Sequence, residues 1–372
     1  MHIRQIDTNN RRDVQRFLRF PFDLYRGCPQ WVPPFASDAR AVFNRKKHPF
    51  YTHSDANFFV AERDGRIVGR IAVLDHRLYN EHHGRRTAFF YLFECEDDAE
   101  AAQGLFAAAC DWARARGLNE MKGPHGFLRS DGHGVLVEGF EHRPALGIAY
   151  NYPYYDALIT GAGFVGYDDF LSGYLGRGYE LPPRFFEIAD KVRERRGFRI
   201  QEFRSKREMR RWIPIAAQVL ERAFADTAEF CPFTPEEFKR MVDQLILVAE
   251  PRLIKLVMKG DEPVGFLFAF SDISAALQKT GGHLWPFGWI RILREFRRTD
   301  WVNINGLGLL PEYQGMGANA VLYAELAKTL MGSQYNHGDI VQVSEANLKS
   351  MGDMEAIGVR WYKRHRVYRK DL

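Results

Sequence analysis

The chain has 372 residues, of which 46% are hydrophobic, 14% aromatic and 27% charged, with a net charge of +5. This excludes a disordered chain and, at roughly 100–200 residues per domain, fits about two domains. The mild basicity suits a small polyanionic ligand or an anionic surface, and the lack of a long Lys/Arg block argues against nucleic acid. Cys28, Cys95, Cys110 and Cys231 show no CxxC spacing, so reduced thiols are expected. No apolar signal core opens the chain and no window of about 20 apolar residues interrupts it, so a cytoplasmic protein is expected.

In chain order, residues 58–75 (FFVAERDGRIVGRIAVLD) read as a β-hairpin on an Asp-Gly turn. Ala99 to Gly117 carries Leu105, Phe106, Ala109 and Trp112 at helical spacing and ends on glycine, which predicts a long amphipathic helix. Residues 125–150 form a long insertion, followed by Asn151 and by GFVGY from Gly163 to Tyr167. The Gly/Pro-rich stretch 174–186 reads as a linker. Beyond it the order repeats. Residues 254–272 are a second hairpin, with Val264-Gly265 standing 196 positions after Val68-Gly69. A helix from Gly315 to about Met331 would turn Val321, Leu322, Leu326 and Leu330 inward. Asn347 follows Asn151 by 196 positions, and GVRWY at Gly358 follows GFVGY by 195. The shared offset predicts two copies of one α/β (α+β) domain, 1–178 and 179–372, each a mixed central sheet flanked by helices.

The stretch LLPEYQGMGAN, residues 309 to 319, places glycines between a strand and a helix. Helix N-termini expose unpaired N–H groups and partial positive charge, and glycine admits a phosphate closely, so this junction suits a pyrophosphate. Neither GxxxxGK[ST] nor GxGxxG is satisfied. The stretch resembles the acyl-CoA loop, [RQ]-x-x-G-x-[GA], of the GNAT superfamily of acyl-CoA-dependent N-acyltransferases. Gln314 and Gly317 match, and Asn319 replaces the usual Gly or Ala. The resemblance implies a tandem arrangement that takes acetyl-CoA or a longer acyl-CoA as co-substrate. The main chain of Gln314, Gly315, Met316, Gly317, Ala318 and Asn319 would hold the pyrophosphate. Leu307, Gly308, Leu309 and Leu310 would pair with the pantetheine arm. NLKSMGDMEAIGV fits the spacing of the family's later N-x-x-A-x-x-x-Y-x-x-x-G-F motif, with Met354 where the family often has a Tyr general acid. Aligning the two long helices sets Asp98 against Gln314, so the first copy is expected to have lost its cofactor loop.

Aminolysis of a thioester needs a deprotonated amine, a polarised carbonyl and a protonated thiolate. Glu345, at the end of a strand, is the candidate base. Tyr362 and Tyr313 are candidate acids, and Asn347, which opens the later motif, is grouped with the catalytic residues. His125, His133, Tyr150, Asn151, Tyr154 and Tyr155 are expected to line an acceptor site between the copies. His82 and His83 lack ligand spacing, and no metal is expected. Residues 284–298 combine Trp285, Phe287 and other apolar residues with four arginines. This segment reads as an interfacial membrane anchor, as the lid of an acyl-chain tunnel, which would make Trp285 and Phe287 substrate contacts, or as a packed helix. The expected activity is acyl transfer from CoA to a small-molecule amine, with a long-chain lipid amine of sphingoid-base type as its specific version. Such a protein would be cytoplasmic and peripheral at the inner membrane face. The alternative, favoured by Met354 and Asn319, is a non-catalytic acyl-CoA-binding or scaffold protein.

Overall fold

Both expected hairpins form in the computed structural model, which describes residues 1–177, 179–225, 227 and 229–372. Residue 178, at the expected domain boundary, lies outside the described residues. The first half runs β1 (His2–Gln5), α1 (Arg11–Leu24), α2 (Ala36–Ala41), β2 (Asp55–Arg63), β3 (Arg66–Asp75), α3 (Arg77–His83), β4 (Thr87–Cys95) and α4 (Ala99–Arg114). It continues through β5 (Glu120–Gly123), β6 (Val135–Glu138), α5 (Tyr155–Gly161) and β7 (Val165–Leu175). The second half runs α6 (Pro183–Arg196), β8 (Phe198–Gln201), α7 (Lys206–Phe224), α8 (Pro235–Val248), β9 (Ala249–Lys259), β10 (Glu262–Ser271), α9 (Ser274–Thr280) and α10 (Gly288–Phe296). It closes with β11 (Trp301–Leu309), α11 (Ala318–Met331), β12 (His337–Ser344), α12 (Leu348–Ala356) and β13 (Arg360–Asp371).

Local chemistry accounts for these elements. Asp64 and Gly65 take φ of 52° and 75°, the paired left-handed conformations of a two-residue hairpin turn. Helix α4 buries Leu105, Phe106, Ala109 and Trp112 as its spacing predicts, each large side chain contributing about 1.5–3 kcal/mol of transfer free energy. Helix α11 likewise buries Val321, Leu322 and Leu326, with Leu330 half-buried. It begins at Ala318, three residues after the expected Gly315, because Gly315 and Gly317 are both left-handed (φ 72° and 84°) and cannot continue a right-handed helix. The repeated glycines Gly163 and Gly358, with φ of 86° and 73°, turn the chain out of α5 and α12 into the last strand of each half.

Those last strands are exchanged. The sheet order is β1-β2-β3-β4-β5-β13-β7-β12-β11-β10-β9-β8, with β6 also on β13. Strand β13, from the C-terminal end, lies antiparallel to β5 of the first half (Tyr368↔Gly123, Asp371↔Glu120). Strand β7, from the first half, lies antiparallel to β12 of the second (Gly338↔Leu175, Ser344↔Phe170). The two exchanged strands pair with each other from Arg360↔Tyr174 to Arg369↔Val165. Charge holds the seam. Lys363 Nζ lies 2.7 Å from Asp339 Oδ2, with both side chains essentially without solvent contact. Asp169 accepts from Arg364 and, through both oxygens, from Arg366, each at 2.8 Å.

Because one sheet spans both halves, they should unfold together. Urea denaturation followed by tryptophan fluorescence and by far-UV circular dichroism should give coincident transitions. Lys363→Met should destabilise the whole chain by about 3–5 kcal/mol by stranding Asp339, and adding Asp339→Leu should recover much of that loss. Two separated transitions would contradict the shared sheet.

Candidate active site

The glycine loop leaves the N-terminus of α11 open. Gly315 and Gly317 swing the chain into α11, and a Cβ on Gly317 would stand 2.9 Å from Val192 of α6. The N–H groups of Gly315, Gly317, Ala318, Asn319 and Ala320 find no acceptor among the described residues, and the helical ladder starts with Val321 N–H to Gly317 O. These unpaired donors sit at the positive end of the α11 dipole. Gln314 donates to Leu309 O at 3.3 Å and accepts from Lys349 Nζ at 3.0 Å, which brings a cation beside the loop. The Asn319 amide donates to Asp353 at 2.7 Å, so the residue that departs from the family pattern ties α11 to α12. The first half does the opposite. The Asp98 carboxylate caps α4 through Ala101 N–H at 3.1 Å and pairs with Arg63 at 2.9 Å, so negative charge already occupies that helix end.

Next to the loop the sheet opens. Strand β11 pairs parallel with β12 from Trp301↔His337 to Ile304↔Ile340 and no further. Its other edge continues on β10 to Leu309↔Gly265 across a bulge. From Asn305 to Leu309 the edge facing β12 therefore has no strand partner among the described residues. Gly306 (φ 104°) and Gln342 (φ 46°) mark the divergence on the two strands.

A cavity of about 2960 Å³ passes through this opening. On the α11 side its wall includes Gly315, Asn319, Tyr323 and Met354. On the other side it includes Phe266, Phe268 and Phe270 of β10, with Leu245 and Val248 of α8. Tyr323 packs with Met354, Ile304 and Ile340 at the point where the strands part. Burial raises its phenol and keeps it protonated, and the hydroxyl has no partner among the described residues. From the first half, His133 reaches the same opening. Its N–H donates to Gln342 Oε1 at 3.2 Å, and Gln342 Nε2 donates back to His133 O at 2.6 Å. The His133 ring stacks on Phe170 at 5.6 Å and meets His125 at 4.9 Å, with both imidazoles in the cavity wall. Burial pushes His133 down to about 3, helped by His125 and Arg129, and burial also lowers His125. Both rings are therefore neutral, each with a free lone pair.

The structure sorts the remaining sequence candidates. Leu307, Gly308, Leu309, Gln314, Gly315 and Asn319 line the cavity, whereas Leu310 and Ala318 are buried beneath the loop and Met316 packs on the core. Tyr150 lines the cavity and donates to Phe140 O at 3.2 Å. Asn151 is a buried clamp on β6, accepting from Leu136 N–H at 2.7 Å and donating to Leu136 O at 3.0 Å. Tyr154 donates to Cys95 O at 2.8 Å, and Tyr155 donates to Glu94 at 2.7 Å, so both serve the first half's packing. Trp285 and Phe287 project from the surface. Asn347 caps α12 through Ser350 N–H at 3.1 Å and stands at the cavity rim. Glu345 is held by Arg364 at 2.8 Å and lies off the cavity wall. Tyr362 also lies off it, its hydroxyl raised by burial and by Asp339, and Tyr313 packs on Phe198. Sequence reasoning did not single out Tyr323, Gln342 or Lys349. Only Lys349 carried a visible signal, a cation two residues into the motif that Asn347 opens.

Comparison with known proteins agrees with this architecture. No family model matches the chain. It is 28% identical to Protein YghO of Escherichia coli (strain K12) over 373 residues, covering 98% of this chain and 94% of that one. It is 27% identical to the bacterial ceramide synthase of Caulobacter vibrioides over 370 residues, covering 97% and 95%. Among solved structures, a tandem GNAT protein from the clavulanic acid biosynthesis pathway aligns over 100% of this chain and 98% of its own, at a TM-score of 0.57 and 11% identity. The chain thus has the tandem GNAT fold, a large mixed sheet flanked by helices.

The neutral imidazoles carry a pH dependence. His133 and His76 are held at about 3, and His48 and His365 at about 4, all from 6.5 and all chiefly by burial. Between those values the unfolded chain binds protons that the folded chain does not. Stability is therefore complete above pH 6.5 and falls as pH drops toward 4. Each of these histidines contributes at most about 1.4 kcal/mol of that loss for every unit by which the pH falls. The urea midpoint should decline steeply across this window, and a flat profile would contradict the burial of these rings.

Proposed function

We propose that the protein is an acyl-CoA-dependent N-acyltransferase that holds the CoA ester on its second half and acylates a long-chain lipid amine of sphingoid-base type. The observation that carries this reading is the cavity running through the β11–β12 opening. Its volume is roughly three times the upper end of ordinary small-molecule pockets, about 1,000 Å³, and its wall on the β10 side is aromatic and aliphatic. That is room for two chain-bearing substrates. The relative named as a bacterial ceramide synthase supports the lipid version. The free amides at α11, the unpaired β11 edge and Lys349 support binding of the CoA ester there, and the Asp98 cap argues against a second CoA site on α4.

In this reading the thioester carbonyl lies at the opening, where β11 amides beyond Ile304 polarise its oxygen. The amine attacks from the α8 side and the new C–N bond forms. Neutral His133 accepts the proton lost by the nitrogen. As the C–S bond breaks, Tyr323 donates its proton to the departing thiolate, the role that Met354 leaves vacant. Return of the His133 proton to Tyr323 through the cavity resets the site, leaving an amide and free CoA thiol. We assign the base to His133 rather than Glu345 because the Glu345 carboxylate is committed to Arg364, away from the cavity.

Thiol release should depend on both a long-chain acyl-CoA and a long-chain amine. Gly317→Glu should abolish CoA-ester binding, since it places a carboxylate among the phosphate-binding amides at a left-handed position. His133→Ala should lower kcat by about 10²–10⁴-fold with little change in acyl-CoA affinity. Tight acyl-CoA binding with no thiol release across an amine panel would instead favour the non-catalytic acyl-CoA-binding reading.

A further inference from the structure

We propose that the α9–α10 insertion docks on an anionic bilayer and that the cavity rim beside it admits the acceptor from the lipid phase. The docking stands on the surface itself, and the admission of an acceptor rests on the function proposed above.

The surface is rigid and one-sided. Trp285, Phe287, Trp289, Ile290 and Leu293 are 80%, 70%, 45%, 40% and 55% exposed within nine consecutive positions. Exposed aromatic and aliphatic groups at this density mark an interaction site. They are not a loose loop. Ile292 is buried with Ile273, Ala276 and Leu277, while Leu284 and Phe296 pack on the same cluster. Gly288 lets the backbone fold directly onto His283 O, where a Cβ would collide. The inner face is thus anchored and the outer face has no partner among the described residues.

Charge selects the occupant. Arg291, Arg294, Arg297 and Arg298 are exposed, and none is in an ion pair among the described residues. Glu295 is the single acid between positions 281 and 298. An aromatic and aliphatic face edged by arginines matches the acyl–headgroup boundary of an anionic leaflet. A second copy of this chain fits poorly, because a two-fold contact would set the arginine cluster against itself.

The patch borders the cavity. His283 is exposed and also lines the cavity, one residue from Leu284. The segment from Pro29 to Ala36 crosses beneath, held by Ala36 N–H to Gly282 O at 3.0 Å and by Gln278 Nε2 to Pro29 O at 2.7 Å and Trp31 O at 2.9 Å. Trp31, Val32 and Pro34 of that segment line the cavity. Phe22, 37% exposed, lies 5.0 Å from Trp31 at the same rim. A chain leaving the bilayer at this patch meets Phe22, Trp31, Val32 and Pro34 at the cavity rim.

The test is flotation of the full-length protein with vesicles of phosphatidylcholine alone and of phosphatidylcholine mixed with phosphatidylglycerol. The protein should float with the mixed vesicles and weakly or not at all with the neutral ones. W289S/I290S/L293S and R291Q/R294Q/R297Q/R298Q should each weaken binding by about ten-fold or more, with the thermal midpoint and acyl-CoA binding unchanged. Both variants should acylate a long-chain amine presented in detergent micelles like the unaltered chain and lose acylation of the same amine embedded in the mixed vesicles. Failure of the unaltered protein to float, or equal flotation of the variants, overturns the proposal. So does a concentration-dependent dimer that the same substitutions abolish in a protein that binds no vesicle. Flotation without acyl transfer to any amine would leave the docking standing and remove the enzymatic reading.

Discussion

The insertion of β13 between β5 and β7 is the constraint on which the rest of the molecule depends. Neither half can complete its sheet from its own chain, because the first half's closing strand comes from residues 360–371 and the second half's from residues 165–175. The exchange also places β6 on β13, through Leu136↔His365 and Val135↔Arg366. The loop that carries His125 and His133 lies between β5 and β6, so its two ends are anchored side by side on one edge of the exchanged strand. This is how an imidazole of the first half arrives at the strand opening of the second and is clamped there by Gln342. A first half whose α4 is capped by Asp98 is then no relic. It supplies part of the cavity wall and, in our reading, the base of a site whose CoA-binding loop lies in the other half.

Electrostatics divides the two halves along the same line. At α11 the first-turn amides are free and Lys349 stands beside them, whereas at α4 the corresponding amides face Asp98. Inside the cavity the polarity is lower. Burial keeps His125 and His133 neutral and Tyr323 protonated, and in our reading His133 is the proton acceptor and Tyr323 the proton donor. Such a site suits a neutral nucleophile attacking a neutral thioester, with charge appearing only as the bond forms.

Much of the fold was legible because its signals are local. Asp64-Gly65 demands a hairpin, Leu105 to Trp112 demands a buried helix face, and repeats near an offset of 196 demand two copies. The glycine loop was legible for the same reason, since the amides that would meet a phosphate are consecutive in the chain. The strand exchange left no such trace. The pairing of Tyr368 with Gly123 has no periodic signature, and Lys363, in a run of basic residues, reads as a surface side chain until its buried partner Asp339 is seen. The catalytic candidates fared by the same rule. Glu345 looked free at a strand end, but its partner Arg364 arrives only through the exchanged strand. His133 is legible as an acceptor-site candidate but not as a base, because Gln342, which fixes it at the strand opening, is 209 residues away. Tyr323 was one aromatic among the core positions of α11, and only the packing against Met354 sets it at the opening.

Acyl transfer by this chain is tested most directly by mass-spectrometric detection of product from the purified protein, a long-chain acyl-CoA and a long-chain 2-amino alcohol. The N-acylated lipid should form in equal molar amount to the CoA thiol released, and neither product should form with the Gly317→Glu chain. Thiol release without amide, or amide formed equally well by the Gly317→Glu chain, would contradict this reading.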